Sequence, residues 1–500
     1  MATPSKRNFL ERTQQGRIPP LCKEIPYVPP RSIYEPFASK NSFLLESVKG
    51  PEKIARYSFI GFDPCLTFKT GNGVIDIHRR DNYGFLKTTP LRALRSLLSA
   101  YVQEPLEHLG PFQGGLVGIL SYDFVHYLES LPRNAADDLR LPDCHFLMID
   151  KLIAFDHIVR KCRIIVCPGV RDALAPGTRP PTIDWSQKYD EAEYDIARIE
   201  EKIKSGKSAA SRRKTGITNT HRSSANIDII YEMKKKEYMD IVKRAKEYIA
   251  AGDIFQANLS QRLSAPIRSI SPWNLYRILS DINPSPFAAF LDFGDYQIVS
   301  SSPERLLRIR ERTIETRPIA GTRPRGKDRE EDEVMRRELL LNEKERAEHI
   351  MLIDLERNDL GRVSEYGTVR VDELMITEDY SHVIHIVSNV SGDLADGKDC
   401  FDAIKAAFPG GTITGVPKVR CMEIIDELEP LKRGPYTGSI GYIAFSGNMD
   451  LNIVIRSFVL SNGRVYVQAG SGIVADSDPE REYFESLKKA EALIRTLEKV

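Results

Sequence analysis

The sequence predicts an α+β protein, on three observations. Residues 1–203 read mainly as short β-like runs bounded by Gly, Pro, Asn and Asp. Residues 227–500 mix such runs with amphipathic helical stretches. The two kinds of element do not strictly alternate, as they would in a parallel α/β sheet. At 500 residues the chain exceeds one ordinary core, so a large or two-part architecture is expected.

Taken in order, SFLLESV, ARYSFIGFDP, CLTFKT, GVIDIHR, GGLVGILSYDF, FLMIDKLIAFDH and CRIIVCP are the strand candidates of the first region. Residues 204–226, KSGKSAASRRKTGITNTHRSSAN, hold almost no large apolar side chains. They read as a flexible linker or loop, with Arg212, Arg213 and Lys214 as a solvated cluster. A helix follows from Lys234 to Ala251, with Tyr238, Ile241, Val242, Ala245, Tyr248 and Ile249 on one stripe. Gly252 is its predicted C-terminal stop. FAAFLDF and YQIVSSS read as strands, and two helical stretches cover about 328–357. GSIGYIAF, LNIVIRSFVL and RVYVQAG are strands again. The closing helix starts at Pro479, with Ser477 and Glu480 as its expected capping box.

Composition excludes several classes. A net charge of +1 gives no electrostatic case for nucleic acid or an anionic membrane. No run has the apolar length of a membrane span. The N-terminus, MATPSKRNFLERTQQGR, has no apolar signal region. Seven scattered cysteines without a CxxC read as reduced, in a cytoplasmic protein.

The chemistry concentrates after residue 250. Glu345 and Glu348, and separately Glu482 and Glu485, have the i, i+3 spacing that puts two carboxylates on one helix face. Spacing alone favours a solvated helix surface. Converging, the four would need a cation, and Mg²⁺ suits hard oxygen ligands on helices. GTITGVPK (411–418) and AGSGIVADS (469–477) are small-residue turns whose N–H groups can cradle an anion, though taken alone each is more often just a tight turn. Arg456 lies in LNIVIRSF, a strand built for burial, where it needs an anionic partner. His385, among apolar neighbours, is either a hydrogen-bonded core residue or a proton-transfer group. ETRPIAGTRPRG holds Gly321 and Thr322 in a turn beside Arg317, Arg323 and Arg325. Together these elements describe a site for a small dicarboxylate with Mg²⁺.

GDIFQANLSQR, SSSPERLL, TRPIAGTRPRG, NEKERAEHIMLIDLERNDLGRV, SHVIHIVSNVSG, FPGGTITGVPKVRCMEIIDELEP, YTGSIGYIAF and AGSGIVADSDPEREYFESLKKA resemble the chorismate-utilising enzymes. Within that family they are most similar to component I of aminodeoxychorismate synthase and of anthranilate synthase. The likeness is strong over about 230–498 and weaker before it, through FLLES, RYSFIGFDP and FQGGLVGILSYD. It implies a large sandwich of two orthogonal β-sheets with helices outside. It divides the chain into an N-terminal component-I-like region (1–203), the linker (204–226) and a chorismate-binding catalytic region (227–500).

The resemblance also implies roles. Glu345, Glu348, Glu482 and Glu485 match the metal-site acids, with Glu348 and Glu485 as direct Mg²⁺ ligands. Gly321, Thr322, Tyr436, Arg456, Gly470 and Gly472 match chorismate-binding positions. Thr412 is a site hydroxyl and His385 matches a proton-transfer histidine. Glu304 matches the acid that protonates the departing 4-hydroxyl, and Lys489 would pair with a carboxylate. Relatives that add water have a lysine where this chain has Gln256, which cannot act as a base but can orient ammonia. No cysteine sits in a glutaminase-type elbow, so a separate glutamine amidotransferase subunit is the expected partner. A chain acting only as a scaffold for that subunit is the non-enzymatic alternative.

Two products remain open. Alanine at position 320, in PIAGT, replaces the lysine that forms a ring adduct in many aminodeoxychorismate synthases, which favours anthranilate synthase. FQANLSQR, DLERNDLGRV, PGGTITG and DLNIVIRSF are closer to the aminodeoxychorismate branch, which also has members with that alanine. The chain is therefore expected to make 4-amino-4-deoxychorismate for p-aminobenzoate and folate, with anthranilate for tryptophan as the alternative. Leu44, Leu45, Glu46 and Ser47 match the LLES segment that holds feedback tryptophan in anthranilate synthases. The second half of that site, Pro286, Phe287 and Ala288, lacks the usual tyrosine and methionine. These four, Ser47, Pro286, Phe287 and Ala288, are the candidate regulatory residues.

Overall fold

The computed structural model describes residues 2–79, 82–175, 183–214, 227–267, 271–380 and 383–500. It contains two large antiparallel sheets with helices packed outside them, an α+β sandwich. Within the described residues each sheet has twelve strands.

Each sheet draws strands from both sides of the expected linker. In the first, Ser42–Glu46 pairs with Phe287–Asp292. In the second, Gly115–Leu120 pairs with Ser439–Ala444. Side chains alternate across each strand, and the packing follows that alternation. Phe43, Phe59, Leu291 and Ile298 of the first sheet meet Val117, Ile119, Leu147 and Ile440 of the second in one buried cluster. Leu44, Ile60, Phe290 and Val299 point the other way, onto the helices Trp185–Lys214, Pro272–Ile282 and Pro479–Glu498.

The expected linker is partly helix. Trp185–Lys214 continues through residues 204–214, because Lys, Ala and Arg support a helix without any apolar surface to bury. Residues 215–226, the rest of the predicted linker, lie outside the described residues. The helix is anchored earlier, by Tyr189, Ala192, Ile196, Ile199 and Ile203, which recur on one buried stripe. The helix Lys235–Ala250 ends as predicted, with Gly252 at φ +84°.

FLMIDKLIAFDH is not one strand. Cys144–Ile149 belongs to the second sheet and Lys151–Asp156 to the first, with Asp150 at the corner. Both halves are buried, so the apolar run carries no mark of the bend. Two other corners matter more. The chain leaves the first sheet at Ser302 and enters the second at Arg305. It returns between Asn452 and Ser457. These crossovers are tied together: the Ile453 N–H donates to Glu304 O at 3.0 Å, and the Ser301 N–H to Arg456 O at 3.1 Å.

Candidate active site

Glu304 and Arg456 sit on those two crossovers. Arg456 was expected inside a strand; it lies instead in the break before Ser457–Ser461, at φ +53°. Its guanidinium pairs with no acid among the described residues, and burial pulls its pKa down. The nearby Tyr436 opposes that shift only in part. A half-buried cation without a counter-ion is unfavourable until an anion arrives. Glu304 is 7% exposed, and its Oε1 has no hydrogen-bond partner. Burial pushes its carboxyl up to about 7, opposed by the facing Thr412 and the charge of Lys489. Thr412 Oγ1 is likewise buried without a satisfactory partner.

His385 lies on the strand Val383–Asp393. Its Nδ1 is 3.0 Å from Thr322 Oγ1 and 3.1 Å from Gly321 O. Burial pushes its pKa down to about 4, and Arg456 adds repulsion of a second positive charge. The imidazole is therefore neutral at pH 7. With Nδ1–H donating to Gly321 O, Nε2 keeps its lone pair. Gly321 breaks the pairing of Ile319–Pro324 with His385's strand, at φ +66°. A Cβ there would lie 2.3 Å from Glu345 Oε2. The bulge thus brings the predicted substrate turn against the predicted metal acids.

Those acids converge. Glu348 is pushed up by burial, with Glu345, Glu485 and Glu482 each contributing repulsion. Arg323 Nη1 donates to Glu345 at 2.7 Å, and Lys489 Nζ lies 2.9 Å from Glu485. Lys489 also acts on Glu304, so it links the carboxylate cluster to the acid end of the site. Ser477 was expected to cap the last helix. Asp478 does so, accepting from Arg481 N, because the residue before Pro479 is held extended. Ser477 is freed to donate to Glu482 Oε1 at 2.6 Å, and Glu482 Oε2 stays buried and unpartnered. Among the described residues no three His, Cys, Asp or Glu side chains close into a metal cage. The arrangement fits an ion that takes one or two carboxylates and completes its shell with water and substrate, as Mg²⁺ does.

Gln256 begins the strand Gln256–Pro266, which pairs with Arg464–Ile473. Its Nε2 would lie 2.4 Å from a Cβ at position 472, and its Oε1 has no partner. A Cβ at position 470 would lie 2.4 Å from Leu259 O. The backbone clash makes position 470 require glycine, whereas a Cβ at 472 would displace the Gln256 amide.

Sequence reasoning missed Glu356. It is 4% exposed and lies behind the Gly411–Ile413 turn, its Oε1 3.5 Å from where a Gly411 Cβ would be. Burial and the neighbouring Asp359 push its carboxyl up to about 8, and Lys418 opposes that. The acid-rich DLERND run was the available signal. The regulatory candidates also come together. Ser47, Pro286, Phe287 and Ala288 line one cavity of about 70 Å³, with Ser47 Oγ within donating distance of Tyr57 O at 2.9 Å and Pro286 O at 3.1 Å. A separate cavity of about 700 Å³, beside Asp63, Asp150 and Asp195, contains no predicted site residue. Several of its charges pair with one another, as in Lys151–Asp195 at 3.0 Å and Arg171–Asp150 at 2.7 Å.

The chorismate binding enzyme profile matches residues 40–495. Anthranilate synthase component 1 of Acetivibrio thermocellus is 44% identical, covering 94% of this chain and 92% of the relative. Aminodeoxychorismate synthase component 1 of Bacillus subtilis (strain 168) is also 44% identical, covering 92% of each. The crystal structure of anthranilate synthase component I from Streptococcus pneumoniae TIGR4 superposes with a TM-score of 0.74 at 34% identity, covering 87% of this chain and 92% of that one. With a match over nearly the whole length and relatives this similar, the chain belongs to the chorismate-binding enzymes.

Proposed function

We propose that this chain aminates chorismate with ammonia supplied by a separate glutaminase subunit, giving 4-amino-4-deoxychorismate. The observation that carries the reading is Glu304, a buried acid near neutrality with an unsatisfied oxygen beside Thr412. Such a group is half-protonated at pH 7 and suited to general-acid work.

Arg456 and the N–H groups near Gly470 and Gly472 pair with the substrate carboxylates. Glu348 and Glu485 would hold Mg²⁺, with Glu345 and Glu482 adding negative charge beside them. Bound there, the ion supplies a positive anchor for a substrate carboxylate. Glu304 gives its proton to the departing 4-hydroxyl, which leaves as water. Nitrogen bonds to the ring, and the aminated product gives up a proton in turn, so the site returns to its starting charge. Neutral His385, with Nε2 unprotonated, is placed to take a proton rather than to supply one. Gln256 cannot activate water but can hold the N–H groups of ammonia.

Local sequence in FQANLSQR, DLERNDLGRV, PGGTITG and DLNIVIRSF supports C4 amination. Ala320 favours the second reading, anthranilate synthesis with loss of pyruvate, since no lysine is present to hold the ring. The test is chorismate with Mg²⁺ and ammonium at mildly alkaline pH, with and without aminodeoxychorismate lyase. p-Aminobenzoate formed only with the lyase is the expected result. Fluorescent anthranilate without it would overturn the C4 assignment.

A further inference from the structure

Asn258 has no role in the chemistry above, yet its side chain is placed as a ligand group would be. It lies two residues after Gln256 on the same strand, so both side chains leave the same face of the sheet. The residue is 8% exposed, and its Oδ1 is buried with no hydrogen-bond donor. Gln256 Oε1 is in the same condition. The two amides project over neighbouring glycines of the adjacent strand. Gln256 Nε2 is 2.4 Å from the Cβ position of Gly472, and Asn258 Oδ1 is 2.9 Å from that of Gly470. The nearby Arg433 does not satisfy Asn258 Oδ1. Its Nη2 donates to the Asn258 backbone carbonyl at 2.6 Å, and its remaining bonds go to Glu429, Ile413 O and Thr437.

Two buried carbonyl oxygens on one face of a strand, both lacking donors, are an unfavourable arrangement unless a donor-rich ligand joins them. A carboxylate does not suit them, because it brings only acceptors. Ammonia does. It has three N–H groups to give and one lone pair, which must stay free to attack the ring. Alternate residues of a strand lie about 6.7 Å apart, and two amide side chains leaning toward each other close that gap to the roughly 4.7 Å that one ammonia nitrogen, bonded at about 2.9 Å to each oxygen, spans.

We propose that Asn258 and Gln256 together form the ammonia seat, with Asn258 the second acceptor that fixes the direction of the lone pair. The proposal deepens the amination reading and rests on it. The experiment is steady-state turnover of chorismate by the full chain with ammonium salts as nitrogen source, comparing wild type with Asn258→Val. The substitution removes the acceptor and keeps a β-compatible side chain. The KM for ammonia should rise about tenfold, while the KM for chorismate stays within about twofold. Asn258→Ala carries the same expectation and decides the matter if the valine variant does not fold. A rise in the chorismate KM with that for ammonia unchanged would mean that Asn258 reads the substrate hydroxyl, and the proposal would be wrong. Wild type active with ammonium and both variants unchanged would overturn the ammonia seat alone. A wild type with no ammonium-dependent turnover would overturn the amination reading as well.

Discussion

Replacing Glu304 by glutamine tests the acid end of the site through two independent readouts. Glutamine keeps the shape and loses the proton. The carboxyl goes from an ordinary 4.5 to about 7 on folding, chiefly through burial. Below about pH 4.5 both folded and unfolded chains hold the proton, and Glu304 contributes nothing to pH dependence. Between 4.5 and about 7 only the unfolded chain ionises. Stability then falls by about 1.4 kcal/mol for each pH unit, levelling off above 7 at a loss of about 3 kcal/mol. Glu304→Gln removes that loss, so the variant should unfold at higher denaturant than wild type at pH 8.5, with the gap closing toward pH 5. Catalysis should move the other way. Loss of a general acid costs roughly 10²- to 10⁴-fold in rate. The wild-type rate should also fall as pH rises through about 7. The assay is chorismate turnover from pH 6 to 9 with free ammonia, rather than total ammonium, held constant. It is paired with urea unfolding at the same pH values. A variant with wild-type turnover, or a stability difference that does not change with pH, would refute the reasoning.

Glu485→Gln should abolish turnover while shifting the thermal midpoint by no more than about 2 °C, because Glu485 is exposed and its solvated pair with Lys489 contributes little; full activity would remove these acids from the site. Gly321→Ala places a Cβ 2.3 Å from Glu345 Oε2 on a left-handed backbone. It should cut activity by at least about tenfold and raise the Mg²⁺ concentration needed for half-maximal rate; an unchanged Mg²⁺ titration would separate the bulge from the carboxylates. His385, held near 4 by burial, should show no imidazole titration by NMR between pH 8 and 6. A transition near 6.5, the ordinary histidine value, would mean that it is solvated and not the neutral group described above.

Much of the site was legible because its chemistry is periodic or compositional. The two glutamate pairs announce themselves by helical spacing, and the structure turns both toward Glu348. Gly321 and Gly470 are small where the fold leaves no room for a Cβ, and Gly472 is small where the Gln256 amide lies. The partner of Arg456 was anticipated to be an anion, and among the described residues no protein acid takes that place. What failed was local geometry. Ser477 looked like a helix cap, but Pro479 moved the cap one residue on and left Ser477 for Glu482. The long apolar run around Asp150 hid a sheet-to-sheet corner, since burial on both sides erases alternation.

By itself the sequence determined which elements form, where the carboxylates lie along their helices, and to which family the chain is similar. Those are properties of neighbouring residues, set by backbone periodicity and side-chain type. Only the tertiary structure decided that residues 1–203 and 227–500 interleave in both sheets. It also placed Glu304 and Arg456 on paired crossovers, and left Asn258 and Gln256 as buried acceptors without donors. Those facts depend on which distant strands become neighbours. That choice is made by burying side chains from the whole chain at once, and no local run of sequence records it.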